Sequence, residues 1–312
     1  MKSNELWLSR RQFVSTVSLA AASLFLTPWQ LKAGEPAMLR KAIPGTAESL
    51  PVIGLGSWLT FDVDTDAPVI VDFVRLIEDF FERGGELIDS SPMYGSAEQI
   101  IGLLLNRADM RDRVFAATKV WTDGEQAGIR QMQRSAQQWG IDHFDLMQIH
   151  NLRDWQTHLK TLTAWKAEGK IRYLGITTSH GRSHSELETI LRQEPVDFVQ
   201  LTYNIEDRSV EKRLLPLAAD RGIAVLVNRP YQGGSLFSAV RGKTLPDWTA
   251  EFDCRSWGQF FLKYIVSHPA VTCVIPATTK RHHLQDNMDA GTGRQPEAAQ
   301  RKKMESFFDS IV

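Results

Sequence analysis

Gly85-Glu-Leu-Ile-Asp89-Ser-Ser-Pro-Met-Tyr94-Gly95 reads as an apolar strand that runs out into a polar loop, with Asp89 and Tyr94 five residues apart at its exit. Two later apolar strands end in the same manner, Val114-Phe-Ala-Ala-Thr-Lys119 in a lysine and Leu146-Met-Gln-Ile-His150 in a histidine. Parallel strands covered on both faces read as continuous apolar runs, and the carboxyl ends of such strands are where a β/α barrel carries its chemistry. Four proton-handling side chains at successive strand exits therefore point to an enzyme site on one face of an α/β fold.

Outward from that stretch the pattern repeats. Strand candidates fall at Val52–Ser57, Glu86–Ser90, Val114–Val120, Leu146–His150, Tyr173–Thr177, Phe198–Asn204, Ala224–Asn228 and Val271–Pro276. Between them, apolar residues recur every three or four positions, as in Ala97–Leu105, Trp155–Glu168, Glu186–Leu191 and Leu214–Ala219, which is the helical period. Eight β-α units of about thirty residues predict a closed (β/α)8 TIM barrel over residues 38–312. Around Ile43-Pro44-Gly45-Thr46 a turn composition between two short apolar stretches predicts a β-hairpin ahead of it.

The 312 residues carry 36 Lys+Arg against 37 Asp+Glu, a net charge of −1 without long single-sign runs, so nucleic acid is not the expected partner. Cys254 and Cys273 lack CxxC spacing and read as packed apolar residues, and no metal-ligating motif is present. Residues 1–33 stand apart. Arg10-Arg11-Gln-Phe13 precedes an apolar run from Val14 to Leu26 that is shorter than the ~20 residues needed to span a bilayer. This resembles a twin-arginine export signal cleaved near Ala33, the other reading being an amphipathic helix with a chance Arg pair. Export would make the translocase a transient partner, leave a mature chain without a membrane span, and place it in the periplasm or beyond.

From about Met38 to Val312 the chain resembles the aldo-keto reductase family, on the ordered set Asp89, Tyr94, Lys119 and His150 in the settings LID with YG following, TKVW and QIH. Each residue taken singly has an ordinary structural reading; the set in order carries the signal. The resemblance implies a monomeric (β/α)8 enzyme that reduces carbonyls with NADPH, or alternatively NADH. Tyr94 would be the general acid for the oxygen on which charge develops. Lys119, held by Asp89, would lower the phenol from its ordinary pKa near 10, and ~3 units correspond to about 4 kcal/mol. His150 would orient the substrate.

For the cofactor the resemblance implies Gln200 at the carboxamide, Thr177 and Thr178 where many members carry Ser-Asn, and Asn228 where many stack an aromatic ring. It further implies Thr278, Lys280, His283, Asp286 and Asn287 at the adenosine end. Trp58 and Trp121 match pocket aromatics. Two other readings stay open. One is an exported regulatory or binding protein that holds a cofactor with little turnover, to which Asn228 lends weight. The other is a metal-dependent sugar isomerase on the same barrel, which calls for more carboxylates and histidines at strand ends than Asp89 and His150 supply.

Overall fold

The computed structural model describes residues 37–312; the twin-arginine segment expected at residues 1–33 lies outside them. A hairpin, β1 (Arg40–Ala42) and β2 (Ser49–Pro51), comes first, antiparallel and in the register Lys41↔Leu50. Eight strands follow: β3 (Leu55–Gly56), β4 (Leu87–Asp89), β5 (Phe115–Val120), β6 (Phe144–Ile149), β7 (Ile171–Thr177), β8 (Phe198–Thr202), β9 (Ala224–Asn228) and β10 (Cys273–Val274). Each pairs in parallel with its sequence neighbours. The ring closes between β10 and the segment at β3 through parallel bridges Ile53↔Val274 and Gly56↔Ala277. The expected barrel and hairpin are both present.

The covering helices are α1 (Ile70–Glu82), α2 (Ala97–Arg107), α3 (Glu125–Trp139), α4 (Trp155–Ala167), α5 (His184–Gln193), α6 (Leu214–Asp220), α7 (Ser235–Ala239), α8 (Trp257–Val266), α9 (Arg281–Ala290) and α10 (Ala298–Ile311). Their ends follow from local chemistry. Gly140 closes α3 at φ 66°, a left-handed conformation that costs glycine little, and its N–H reaches the carbonyls of Ala136 and Gln137. Ser256 caps α8 by accepting the Gln259 N–H at 3.0 Å. Among the described residues no helix is long and apolar enough to cross a membrane.

Two apolar clusters divide the core. The larger lies between barrel and helices. The smaller fills the lower barrel with Leu87, Phe115, Leu146, Phe198 and Leu226, and the hairpin residues Ile43 and Leu50 belong to it, plugging the barrel floor. Side chains on one face of a strand recur every second residue. Two positions on from these apolar groups, or four from Phe115, the same inward faces carry Asp89, Lys119, Gln148, Gln200 and Asn228. The barrel interior is thus oily at its amino-terminal end and polar at its carboxyl end. Both cysteines are buried free thiols, as read from the sequence.

Some strands are shorter than their apolar runs. Of Val52–Ser57 only Leu55–Gly56 is laddered, and of Val271–Pro276 only Cys273–Val274. These two segments meet at the seam, where added side-chain bulk has no room: a Cβ on Gly56 would sit 2.7 Å from the Ile275 carbonyl oxygen.

Candidate active site

Strand register brings the polar ends together. Lys119 lies opposite Gln148 across β5 and β6, and Thr177 opposite Gln200 across β7 and β8. Lys119 is fully buried; its Nζ donates to Asp89 Oδ2 at 2.5 Å and to the Ser90 carbonyl at 2.7 Å. The other Asp89 oxygen accepts from Gln148 Nε2 and Gln200 Nε2, each at 2.9 Å. The carboxylate is therefore hydrogen-bonded on both oxygens, as a buried charge requires.

Above this pair stands Tyr94, delivered by the turn after β4, with the Lys119 ammonium 5.2 Å from its ring centre. The His150 ring meets the Tyr94 ring edge-on at 5.8 Å, and His150 Nδ1 lies 2.9 Å from Ser91 Oγ. The four expected catalytic residues thus form one cluster. Burial opposes the charge on Lys119, but Asp89 and Tyr94 outweigh it and hold the ammonium above its ordinary pKa. Burial, aided by Lys119, drives the His150 imidazole down to about 2, so it is neutral at physiological pH.

One expectation is corrected here. Lys119 does favour the Tyr94 phenolate, yet burial acts more strongly and leaves the phenol above its ordinary value. In the free protein Tyr94 is held as an acid with its proton in place.

Asp89, Tyr94 and His150 line a cavity of about 490 Å³ that opens at the carboxyl end of the barrel. Trp58 stands in its lining, 45 % exposed, with Leu59, Met93 and Phe237 as apolar neighbours. Thr177, Thr178, Gln200 and Asn228 also line it. Thr177 Oγ accepts the Asn151 N–H at 3.1 Å, while the buried Thr178 hydroxyl has no hydrogen-bond partner among the described residues. Asn228 Nδ2 donates to the Thr178 carbonyl at 2.9 Å, and its Oδ1 accepts from Thr202 at 2.7 Å. Where a stacking ring was considered, a doubly anchored amide stands.

Other expected positions lie elsewhere. Trp121 is outside the lining; its ring is 6.4 Å from that of His150, under the Arg153 guanidinium at 5.0 Å. Thr278, Lys280, His283, Asp286 and Asn287 do not line the cavity either. Thr278 Oγ accepts the Lys280 N–H, and the His283 ring packs on His282 at 4.3 Å. Asp286 accepts from Ser256 at 2.6 Å and Gln259 at 2.8 Å, while Asn287 accepts from the Tyr231 hydroxyl at 2.6 Å. Asp286 and Asn287 thus tie α9 to α8 and to the loop after β9.

The sequence reading missed Gln148, Ser91, Arg182 and Arg229. Gln148 was detectable, since it sits two positions before His150 and so shares its face. Arg182 and Arg229 line the cavity, and Arg229 Nε is buried without a hydrogen-bond partner among the described residues. Only tertiary proximity shows that group.

Residues 52–306 match the sequence model of the aldo/keto reductase family. The NADH-specific methylglyoxal reductase of Escherichia coli is 30% identical over 66% of this chain and 72% of that protein. Aldo-keto reductase YhdN of Bacillus subtilis is 28% identical over 64% of this chain and 63% of its own length. In fold, a Klebsiella pneumoniae aldo/keto reductase solved with NADP and acetate superposes at a TM-score of 0.72 with 22% identity, covering 85% of this chain and 94% of that one. The glycerol dehydrogenase of Gluconobacter oxydans does so at 0.73, with 22% identity over 88% and 96%. Sequence and barrel agree, and the chain belongs to the aldo/keto reductase family of oxidoreductases.

Proposed function

We propose that this protein reduces aldehydes or ketones with NADPH, or alternatively NADH, and that Tyr94 is the general acid. The observation that carries the reading is the convergence of Asp89, Tyr94 and His150 on one cavity, with the fully buried Lys119 ammonium paired to Asp89 and 5.2 Å from the Tyr94 ring centre. The cavity residues suit a dinucleotide. The unpartnered Thr178 hydroxyl and the Gln200 and Asn228 amides can hold a carboxamide, and the guanidiniums of Arg182 and Arg229 can face phosphate. When bound, a reduced nicotinamide supplies hydride.

The chain's own groups would then manage the proton. Tyr94 gives its hydroxyl proton to the carbonyl oxygen as charge grows there. Lys119 makes the resulting phenolate affordable, because an ammonium at short range in a dry site interacts far more strongly than in water. Asp89 keeps the ammonium charged and aimed, and Gln148 and Gln200 keep Asp89 in place. His150, being neutral, is free to donate a hydrogen bond without delivering a competing charge. The apolar residues Trp58, Leu59, Met93 and Phe237 favour a carbonyl with an apolar substituent. The Arg10-Arg11 segment supports export by the twin-arginine route, for which replacement by Lys-Lys is the test: retention in the cytoplasm is expected, and unchanged export refutes it.

A fluorescence titration with NADPH and NADH, followed by oxidation of the bound cofactor against aldehydes, ketones and quinones, tests the reading. Tyr94→Phe should lower turnover ~10²–10⁴-fold while leaving cofactor affinity nearly unchanged. Undiminished turnover in that variant overturns the mechanism. Asn228, an anchored amide in place of a stacking ring, favours a second reading in which the protein holds a cofactor as a sensor. Tight binding with no turnover on the whole panel would select it.

A further inference from the structure

We infer that Ser91 is a positioning residue: its hydroxyl donates to His150 Nδ1, fixes His150 as the Nε2–H tautomer, and so presents an N–H donor to the carbonyl oxygen. This rests on the reductase reading given above. Ser91 Oγ lies 2.9 Å from His150 Nδ1, and both residues are buried, Ser91 at 0% and His150 at 5% exposure. A hydroxyl has one proton to give. Ser91 Oγ already accepts the Met93 N–H at 3.3 Å, and among the described residues His150 Nδ1 is the other atom within hydrogen-bond distance of that hydroxyl.

Were Nδ1 protonated, Ser91 Oγ would accept that hydrogen on its second lone pair, and the buried Ser91 proton would be left without an acceptor among the described residues, an arrangement native interiors avoid. Nδ1 is therefore the acceptor, and a neutral imidazole must carry its hydrogen on Nε2. The low proton affinity of the ring agrees with a neutral His150. The rings of Tyr94 and Trp121 stand at 5.8 and 6.4 Å from the imidazole. His150 lines the cavity while its Nδ1 is engaged by Ser91, which leaves Nε2 for a ligand. Ser91 sits two residues beyond Asp89, so one turn supplies both the anchor of Lys119 and the anchor of His150.

Long-range proton–nitrogen correlation spectra of the full chain labelled with ¹⁵N-histidine read the tautomer directly. The His150 pattern among the eight histidines is assigned by its loss in His150→Gln. The expected wild-type pattern at neutral pH is a protonated Nε2 and a bare, hydrogen-bonded Nδ1. Ser91→Ala should shift the Nδ1 resonance and mix the tautomers, and should lower kcat about tenfold with cofactor affinity unchanged. Ser91→Thr, which keeps the hydroxyl, should retain the wild-type pattern. A protonated Nδ1 in the wild type, or identical His150 spectra in wild type and Ser91→Ala, overturns the inference. The wild-type spectrum decides even where a variant fails to fold. Because it needs no turnover, its failure is separate from a failure of the reductase reading.

Discussion

Lys119 and Lys263 are both fully buried, yet their surroundings push their proton affinities in opposite directions. Lys119 meets the Asp89 carboxylate and stays above the ordinary lysine pKa in spite of its burial. Lys263, on α8, donates to the backbone carbonyls of Thr292 and Arg294 at 2.9 and 3.0 Å, and burial brings it down to about 8. Carbonyl dipoles satisfy an ammonium's hydrogen bonds but do not neutralise it. A carboxylate does both, so the lysine at the active site is the one equipped to remain charged while a neighbouring group changes its own charge.

The most forceful way to break this contrast is Lys119→Met, which leaves Asp89 buried without a cation. A loss of about 3–5 kcal/mol of stability is expected, together with loss of carbonyl reduction. Urea unfolding and turnover measured on the same preparation check it, and full activity with unchanged stability would end the argument for the pair. Lys263→Met strips the Thr292 and Arg294 carbonyls, which water can reach in part, of their donor and should cost about 1 kcal/mol with kcat unchanged. A fall in kcat matching that of the Lys119 variant would erase the distinction between the two sites.

Titration sharpens the contrast on a finer scale. Lys263 releases its proton more readily folded than unfolded, so between pH 8 and about 10 the unfolded chain holds more protons and stability should gain up to about 1.4 kcal/mol per pH unit from this group. Lys119, with its raised value, contributes stability below the unfolded lysine pKa and loses it as pH climbs past its own. The difference in slope between wild type and Lys263→Met isolates the first effect. On the acid side, His150 stays neutral while an unfolded histidine takes up a proton below about 6.5. Stability should therefore fall as pH drops through 6 to 5, less steeply in His150→Gln. Equal slopes in the two proteins would remove His150 from the account.

Much of this was legible in the chain itself. Eight apolar runs alternating with helical periods predict the barrel, the polar exits of LID, TKV and QIH give the direction of its open end, and period-two spacing sorts out the inward-facing residues. Gln148 was visible by the same rule, two places before His150. Helix α8 was not, because Trp257–Val266 is buried nearly all round and so shows no polar stripe to set a period. The state of Tyr94 depends on how deep the phenol sits relative to Lys119, which no spacing encodes. The hydrogen bonds of Asp286 and Asn287 to Ser256 and Tyr231 were not legible either, since those partners lie thirty and fifty-six residues away in sequence. Ser91 looked like loop filler until the fold set it against His150.

The plug of Ile43 and Leu50 has a bearing on traffic. Lys41 fastens β1 by donating to the carbonyls of Val266, His268 and Val271, each at 2.7 Å, so the floor is pinned shut. Among the described residues the cavity opens at the carboxyl end of the barrel, while the hairpin covers the opposite end. On the reductase reading proposed above, cofactor and carbonyl would both have to approach from the carboxyl end, so the order of their arrival and departure would be decided there.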